Sequence, residues 1–537
     1  MNSLHIKEMT PRKSLLKQWL GILSLIFLPA LLVACSEDKI EEQNIIDPDK
    51  FLISLNLSLP SSGSSSRAET KEDGSSSENT VEASDKEKII NNAVLYFYNG
   101  NEHLLTLYAT KYEPLENNTQ EAYTITAVAT KEQMLYLLGQ SLNLYVIANY
   151  DLISPNGVNP IENTFTVPDL VSPIGEYGEG GQILPMSNAS KYEVDFTDID
   201  GTTDDEKIEK LGKIISDDNT LNLSDETEKK DEESNLLFKG KGALDLERMV
   251  ARIDFKNIKD NYTYTIGQSD INVSLAWMHI FNVNKESYLF RHASKGNNTA
   301  AGEALQLLEP EKGDEADSYN WITVPDFGLK KSKAEVSYLC PQSSIFTSEG
   351  KGYVSPASLC NEDKEQYHPW IYVTENTLPS TDFMKSKEDL NKYATGIAFK
   401  VRILGADGEP LTQNSENLPE GITRVDNSDD IIVTTTDKKW KRVEWENFGT
   451  SSTDEPFVDE GYFLTYYVHI LHNNPIDAKN YTDGIPPMYF GVVRNNCYQL
   501  TVNSIESLPD PENPLGDDIK VHVRIKPWDY EPAIVTW

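Results

Sequence analysis

Phe51-Leu52-Ile53-Ser54-Leu55-Asn56-Leu57-Ser58-Leu59 places Phe51, Ile53, Leu55, Leu57 and Leu59 on one face of an extended chain and Ser54, Asn56 and Ser58 on the other. That period of two is the mark of a β-strand with one face buried. Immediately downstream, Pro60 to about Lys88 is rich in Ser, Gly, Glu and Asp. Such a stretch cannot bury a core and reads as a flexible loop. Within it Arg67 is the only arginine between Cys35 and Arg248. A lone arginine in an open loop is readily cut, so the Arg67-Ala68 bond is the candidate processing site.

Upstream, residues 36–50 read as a tether. Before them, Lys7, Arg12, Lys13 and Lys17 precede an uncharged apolar run from Trp19 to Ala34, interrupted by Pro29. The run is short for a membrane span and has the layout of a signal peptide. It ends in Leu32-Val33-Ala34-Cys35, which resembles a bacterial lipoprotein box. Cys35 is then the lipidation site: its thiol takes a diacylglyceryl group, and several acyl chains anchor firmly because each buried CH₂ contributes about 0.8 kcal/mol. The membrane is reached only through the lipid of this precursor. Ser36-Glu37-Asp38 adds acidic residues like those that direct lipoproteins to the surface in Bacteroides-type bacteria.

The chain has 537 residues with Lys+Arg 48 and Asp+Glu 85, a net charge of -37. A surface so acidic repels nucleic acid and anionic lipid. Its length implies roughly two to four domains. Short alternating runs recur at Ala93–Tyr98, Ala122–Val128, Leu142–Ala148, Leu246–Phe255, Val273–Ile280, Ala394–Ile403, Tyr466–Ile470 and Tyr498–Val502. They predict an all-β protein of the β-sandwich kind with minor helices. One helix is expected after Thr203, where Asp204, Asp205 and Glu206 suit a helix N-terminus and Ile208, Leu211, Ile214 and Ile215 follow at helical spacing. The acidic stretch Asp217–Glu233 reads as a solvated loop.

The chain closes on a Pro-rich linker, Pro509-Asp510-Pro511-Glu512-Asn513-Pro514, and a second amphipathic strand. There Ile519, Val521, Val523 and Ile525 alternate with Lys520, His522, Arg524 and Lys526, ahead of Trp528. Two amphipathic strands thus lie at opposite ends of the chain, and the first is separable from the rest by one cut. Removing it would open an apolar groove with unpaired backbone groups, which a strand from another molecule could fill. Repeated head to tail, that contact does not close and yields a filament. On pattern alone, a second reading stands beside this one: both strands are ordinary edge strands of a monomer and Arg67 is incidental.

The segments resemble the fimbrillin family, the lipoprotein-derived (type V) pilus subunits of Bacteroides-type bacteria. The lipobox, the strand Phe51–Leu59 and the small-residue loop around Arg67 are similar to the family's N-terminus. Leu246–Ile253 resembles the strand that opens its second domain. Tyr372–Thr377 and Tyr466–Asn474 resemble internal signatures, as do Gly491–Ile505 and Val521–Trp528. The resemblance implies two tandem transthyretin-like β-sandwich domains. Their order along the chain is a signal peptide over 1–35, a tether and removable strand over 36–67, an N-terminal domain over 68–245, a C-terminal domain over 246–508, and a linker with donor strand over 509–537. It implies an outer-membrane lipoprotein precursor that is cleaved at Arg67 by a maturation protease. The chain then polymerises by donor-strand exchange as the shaft subunit of a cell-surface fimbrium supporting adhesion. Its partners would be identical subunits together with anchor and tip fimbrial subunits.

Chemistry-bearing motifs are sparse. No phosphate-binding Gly loop, nucleophile elbow or His-Glu-x-x-His occurs, so no catalytic residue, metal or cofactor is assigned. His469 and His472, three apart in a strand-like run, point to opposite faces and make a poor metal pair. Cys340 and Cys360 allow either a disulfide, adding about 3 kcal/mol, or two separate buried thiols. Tyr462, Tyr466, Tyr467 and Trp370 could form a sugar-binding face or belong to the core. The alternative to a fimbrial shaft is therefore a monomeric surface lipoprotein that binds a glycan or host protein.

Overall fold

The alternation of Phe51–Leu59 is realised as strand β1 (Lys50–Ser58), and the strands around it form a closed ring. The computed structural model describes residues 49–59, 81–114, 122–150, 164–166, 183–295, 303–304, 320–332, 334–342, 354–360, 366–378, 387–449, 458–472, 490–510 and 518–529. Within these the protein is mostly β-strand with few short helices. Residues 48–537 make up one unit. The leader, Cys35, Arg67 and Ala68 lie outside the described residues.

The ring is built from β1, β3 (Ala93–Asn99), β4 (Glu102–Pro114), β5 (Ala122–Thr130), β6 (Ser141–Ala148), β7 (Met186–Asn188) and β10 (Leu244–Arg248). Around it the order is β1, β10, β7, β6, β3, β4, β5 and back to β1. Strand β8 (Tyr192–Asp195) extends along β6, and β9 (Thr220–Asn222) runs parallel to β1. Helix α2 (Lys131–Leu137) and helix α3 (Asp204–Gly212) plug the ring with Met134, Leu137 and Leu211. Thr203 caps α3 by accepting from the Glu206 N–H, as the sequence predicts.

Strand β9 corrects the reading of Asp217–Glu233 as a solvated loop. Leu221 and Leu223 alternate inside that acidic run and are buried, and Thr220–Asn222 pairs with Leu52–Ser54. Flanking carboxylates hid two apolar residues that a neighbouring strand requires.

The segment Leu246–Phe255 is not one strand. It is divided at Met249-Val250 between β10, which completes the ring, and β11 (Ala251–Lys256), which opens the second half. There, two five-stranded sheets face each other. One is ordered β2 (Val81–Glu82), β21 (Ile519–Asp529), β20 (Asn496–Ile505), β11, β14 (His368–Val373). The other is β12 (Thr263–Thr265), β13 (Asn272–Phe281), β16 (Gly396–Ile403), β18 (Val458–His469), β17 (Trp445–Gly449). Ile253, Phe255, Leu500 and Val502 from the first meet Val273, Phe399, Val401 and Leu464 from the second in one core. Phe255 and Phe399 pack across the gap with centroids 6.5 Å apart. Gly396 sits where the sheet is tightest: a Cβ there would lie 2.6 Å from the Val468 carbonyl oxygen, so only glycine fits without a backbone shift.

Candidate functional site

Three layers of contact hold β1 in its slot. On one edge it pairs antiparallel with β5 along its whole length, from Lys50 opposite Thr130 to Ser58 opposite Ala122. The other edge is shared by two short parallel partners: Leu52–Ser54 on β9, then Leu57–Ser58 on β10. Strand β1 is therefore an interior strand, and its removal would unpair β5 on one side and β9 and β10 on the other.

The second layer is side-chain packing. Phe51, Ile53, Leu55, Leu57 and Leu59 are all buried in the ring's core. The partner strand answers large residues with small ones, Phe51 lying opposite Ala129 and Ile53 opposite Ala127. Burial of each of the five contributes roughly 1.5–3 kcal/mol relative to exposure.

Polar contacts form the third layer, on the face that alternation marks as outward. Ser54 and Ser58 are also buried. The Asn56 N–H donates to Ser224 Oγ at 2.8 Å, and Thr124 Oγ1 donates to Asn56 Oδ1 at 2.9 Å. Ser58 Oγ donates to Asp245 Oδ1. Backbone bonds from Leu223 N to Ser54 O (2.8 Å) and from Leu52 N to Asn219 O (3.0 Å) complete the seat.

The C-terminal strand β21 is held differently. It pairs with β20 from Ile519 opposite Ile505 to Pro527 opposite Asn496. Its outer edge meets a strand, among the described residues, only where Trp528 and Asp529 pair with Val81 and Glu82 of β2. Ile519 and Ile525 are buried, and Val521 and Val523 pack half-buried against the same core. The strand thus belongs to its own sheet along one edge.

Other sequence candidates fall into the core. Tyr462, Tyr466 and Trp370 are buried, so they do not present a sugar-binding face. His472 Nδ1 shares a hydrogen bond with the Tyr498 hydroxyl at 2.6 Å, and His469 Nε2 lies 3.0 Å from Asn391 Oδ1. Burial pushes both imidazoles down to about 4. The two rings thus have separate partners. Among the described residues no cluster of His, Cys, Asp or Glu is arranged to hold a metal. The bridge considered for Cys340 and Cys360 is not formed. Cys340 packs with Phe281 and Ala398 beside His279, whereas Cys360 lies in the sandwich core with its thiol 3.8 Å from the Phe255 carbonyl.

Sequence reasoning missed a buried charge network where the two halves meet. Helix α1 (Asp85–Lys88) supplies Glu87, β11 supplies Arg252 and Asp254, and β14 supplies Tyr372. Arg248, Glu247, Arg291, Glu375 and Arg494 extend it. The sequence signal was a set of four charges, Glu247, Arg248, Arg252 and Asp254, inside the strand-like run Leu246–Phe255.

Residues 462–531 match the family described as major fimbrial subunit protein type IV, fimbrillin, C-terminal. No curated protein sequence matches the chain. Solved structures that resemble it include a candidate cell adhesion protein of Parabacteroides distasonis, at 12% identity and a TM-score of 0.39, with 90% of this chain and 100% of that one covered. A second from the same organism has 14% identity, a TM-score of 0.37, and 90% and 98% coverage. The tip fimbrial protein Mfa3 of Porphyromonas gingivalis, truncated at its C-terminus, has 12% identity, a TM-score of 0.31, and 89% and 100% coverage.

Proposed function

This chain being a fimbrillin-family protein, we propose that it is the shaft subunit of an adhesive cell-surface fimbria, assembled by exchanging β1 for a neighbour's C-terminal strand. The precursor is exported as a lipoprotein through Cys35, and a protease cuts at Arg67-Ala68. Strand β1 then leaves, and the opened slot receives the Ile519–Trp528 strand of the next subunit. In this reading residues 68–245 and 246–508 are tandem transthyretin-like domains. Anchor and tip subunits terminate the filament.

The observation that carries the reading is the position of β1. It is joined to the rest of the chain only through the segment that contains Arg67, yet it fills an interior slot with five buried apolar side chains. Detaching it creates the need that a second strand of the same alternation can meet. The role is structural, with no substrate.

N-terminal sequencing of surface fibres tests this directly. A mature chain beginning at or near Ala68, in an SDS-resistant ladder that collapses on heating, is the expected result. Fibres whose subunits still hold Phe51–Leu59 would overturn it.

One observation favours a second reading, in which the chain accepts a strand but ends the filament. Strand β21 closes its own sandwich, with Ile519 and Ile525 buried, so donation requires it to leave β20. A terminal subunit would keep it there.

A further inference from the structure

Helix α4 (Phe327–Lys331) carries Lys330 into the interior of the second half. Its side chain is fully buried, and no carboxylate among the described residues lies within ion-pair distance. Instead, Nζ faces three oxygens: Asn376 Oδ1, Asn284 Oδ1 at 3.5 Å and Thr377 O at 3.5 Å. Burial pushes the amine down to about 7, against the pull of the Asp326 charge. A large part of Lys330 is then the uncharged, nucleophilic amine near neutral pH.

Its neighbour is equally constrained. Asn376, on β15 (Asn376–Thr377), is buried. Asn376 Nδ2 donates to Asn282 O at 2.8 Å, Tyr393 O at 3.1 Å and Thr395 Oγ1 at 2.7 Å. Those bonds fix the amide plane and turn its carbonyl toward Lys330. A dry site that holds a nucleophile against a fixed carbonyl replaces a bimolecular encounter by a unimolecular one.

We propose that Lys330 and Asn376 join in an intramolecular isopeptide bond formed by the chain itself. The amine adds to Cγ of Asn376, so a Nζ–Cγ bond forms. A proton passes from Nζ to Nδ2, the Cγ–Nδ2 bond breaks, and ammonia leaves. The products are a secondary amide and one ammonia, with no oxidant or reductant required. Asp326, the N-cap residue of α4 four positions before Lys330, has its charge acting on both Lys330 and Tyr338. It would stabilise the positive nitrogen that develops on attack. The bond would tie α4 to β15, which pairs with Gly491–Val492 of β19, closing the chain between residues 330 and 376 covalently. This site is independent of the slot occupied by β1.

Peptide mapping of the purified full chain by mass spectrometry tests the proposal. The expected product is a branched peptide joining Lys330 to Asn376, lighter than its two linear components by one ammonia, with cleavage after Lys330 blocked. Recovery of only the linear peptides from folded chain would overturn it. Lys330→Arg and Asn376→Ala are each expected to abolish the branched peptide, and its persistence in either would refute the assignment. The wild-type measurement stands even where a variant does not fold. Asp326→Asn is expected to lower the branched fraction at early times in chains with native circular dichroism. An unchanged rate there would remove Asp326 from the scheme.

Discussion

Glu87 Oε2 meets Arg252 Nη1 at 2.9 Å, with the two side chains 1% and 4% exposed, and this pair joins the chain just past residue 80 to the second half of the molecule. Tyr372 donates its hydroxyl to Glu87 Oε1 at 2.5 Å, Arg252 also bonds Asp254 at 2.8 Å, and Arg248 Nε donates to the Glu87 carbonyl at 3.2 Å. Burial pushes the Glu87 carboxyl up, but Arg252, Tyr372 and Arg248 together outweigh it and hold the group below the ordinary carboxylate range. A cut at Arg67 therefore leaves the chain fastened at the α1 turn, where Arg252, Tyr372 and Arg248 hold Glu87. Loss of β1 need not loosen the junction between halves.

Removing one partner of this pair leaves a buried charge uncompensated. Glu87→Ala should cost about 3–5 kcal/mol of stability in denaturant titration. The exposed pair Lys111–Glu113, with side chains 61% and 55% exposed, offers the contrast. Glu113→Ala should change stability by less than about 1 kcal/mol. Equal effects at the two sites would show that the network carries no special burden.

Much of this architecture is legible in the sequence because alternation reports burial on one face. Phe51–Ser58, Ala93–Tyr98, Ala122–Val128 and Leu142–Ala148 all stand within strands. Alternation says nothing about what lies beside a strand, so the sequence does not reveal that β1 has partners on both edges. Strand β9 escaped because carboxylates surround Leu221 and Leu223. Strand β4 escaped because Glu102–Pro114 mixes polar residues into a largely exposed face. The buried ions were invisible for a different reason. Glu87 and Arg252 are 165 positions apart, and only the fold brings their charges together.

Acid should weaken the fold through His469 and His472. Both are buried and neutral, with folded-state values pushed down to about 4 from 6.5. Between those values the unfolded chain binds more protons than the folded one, so stability is full above pH 6.5 and falls as pH drops toward 4. Each imidazole contributes up to about 3 kcal/mol of this loss. His472→Gln can retain a hydrogen-bonding partner for the Tyr498 hydroxyl while removing one titration. It should flatten the slope of denaturation free energy against pH in this window. A slope unchanged by the substitution would assign the acid sensitivity elsewhere.

Leu55 separates the precursor's stability from the fibre's. It is fully buried at the middle of β1, opposite Ile125. Leu55→Ala should destabilise the uncut chain by about 2–5 kcal/mol, since it removes buried methyl groups and leaves a cavity. Strand release after cleavage should accelerate. If β1 is absent from the assembled fibre, the variant's ladder should melt at the wild-type temperature. A lowered melting temperature would place β1 inside the fibre and contradict strand replacement.

The choice between shaft and terminal subunit turns on whether β21 leaves β20, and a reversible pin decides it. Thr501 and His522 are directly opposed across the two strands. Antiparallel neighbours have Cα atoms about 4.5–5.5 Å apart, within disulfide reach. In Thr501→Cys/His522→Cys, oxidation should hold β21 in its own sheet, and the native cysteines among the described residues, Cys340, Cys360 and Cys497, are buried away from solvent. For a donating shaft subunit, the oxidised and processed chain should stay monomeric, and reduction should restore the ladder. A ladder of equal length from oxidised chain would show that β21 remains at home during assembly. The donor would then have to come from elsewhere, and Ile519, Val521, Val523 and Ile525 would serve only their own core.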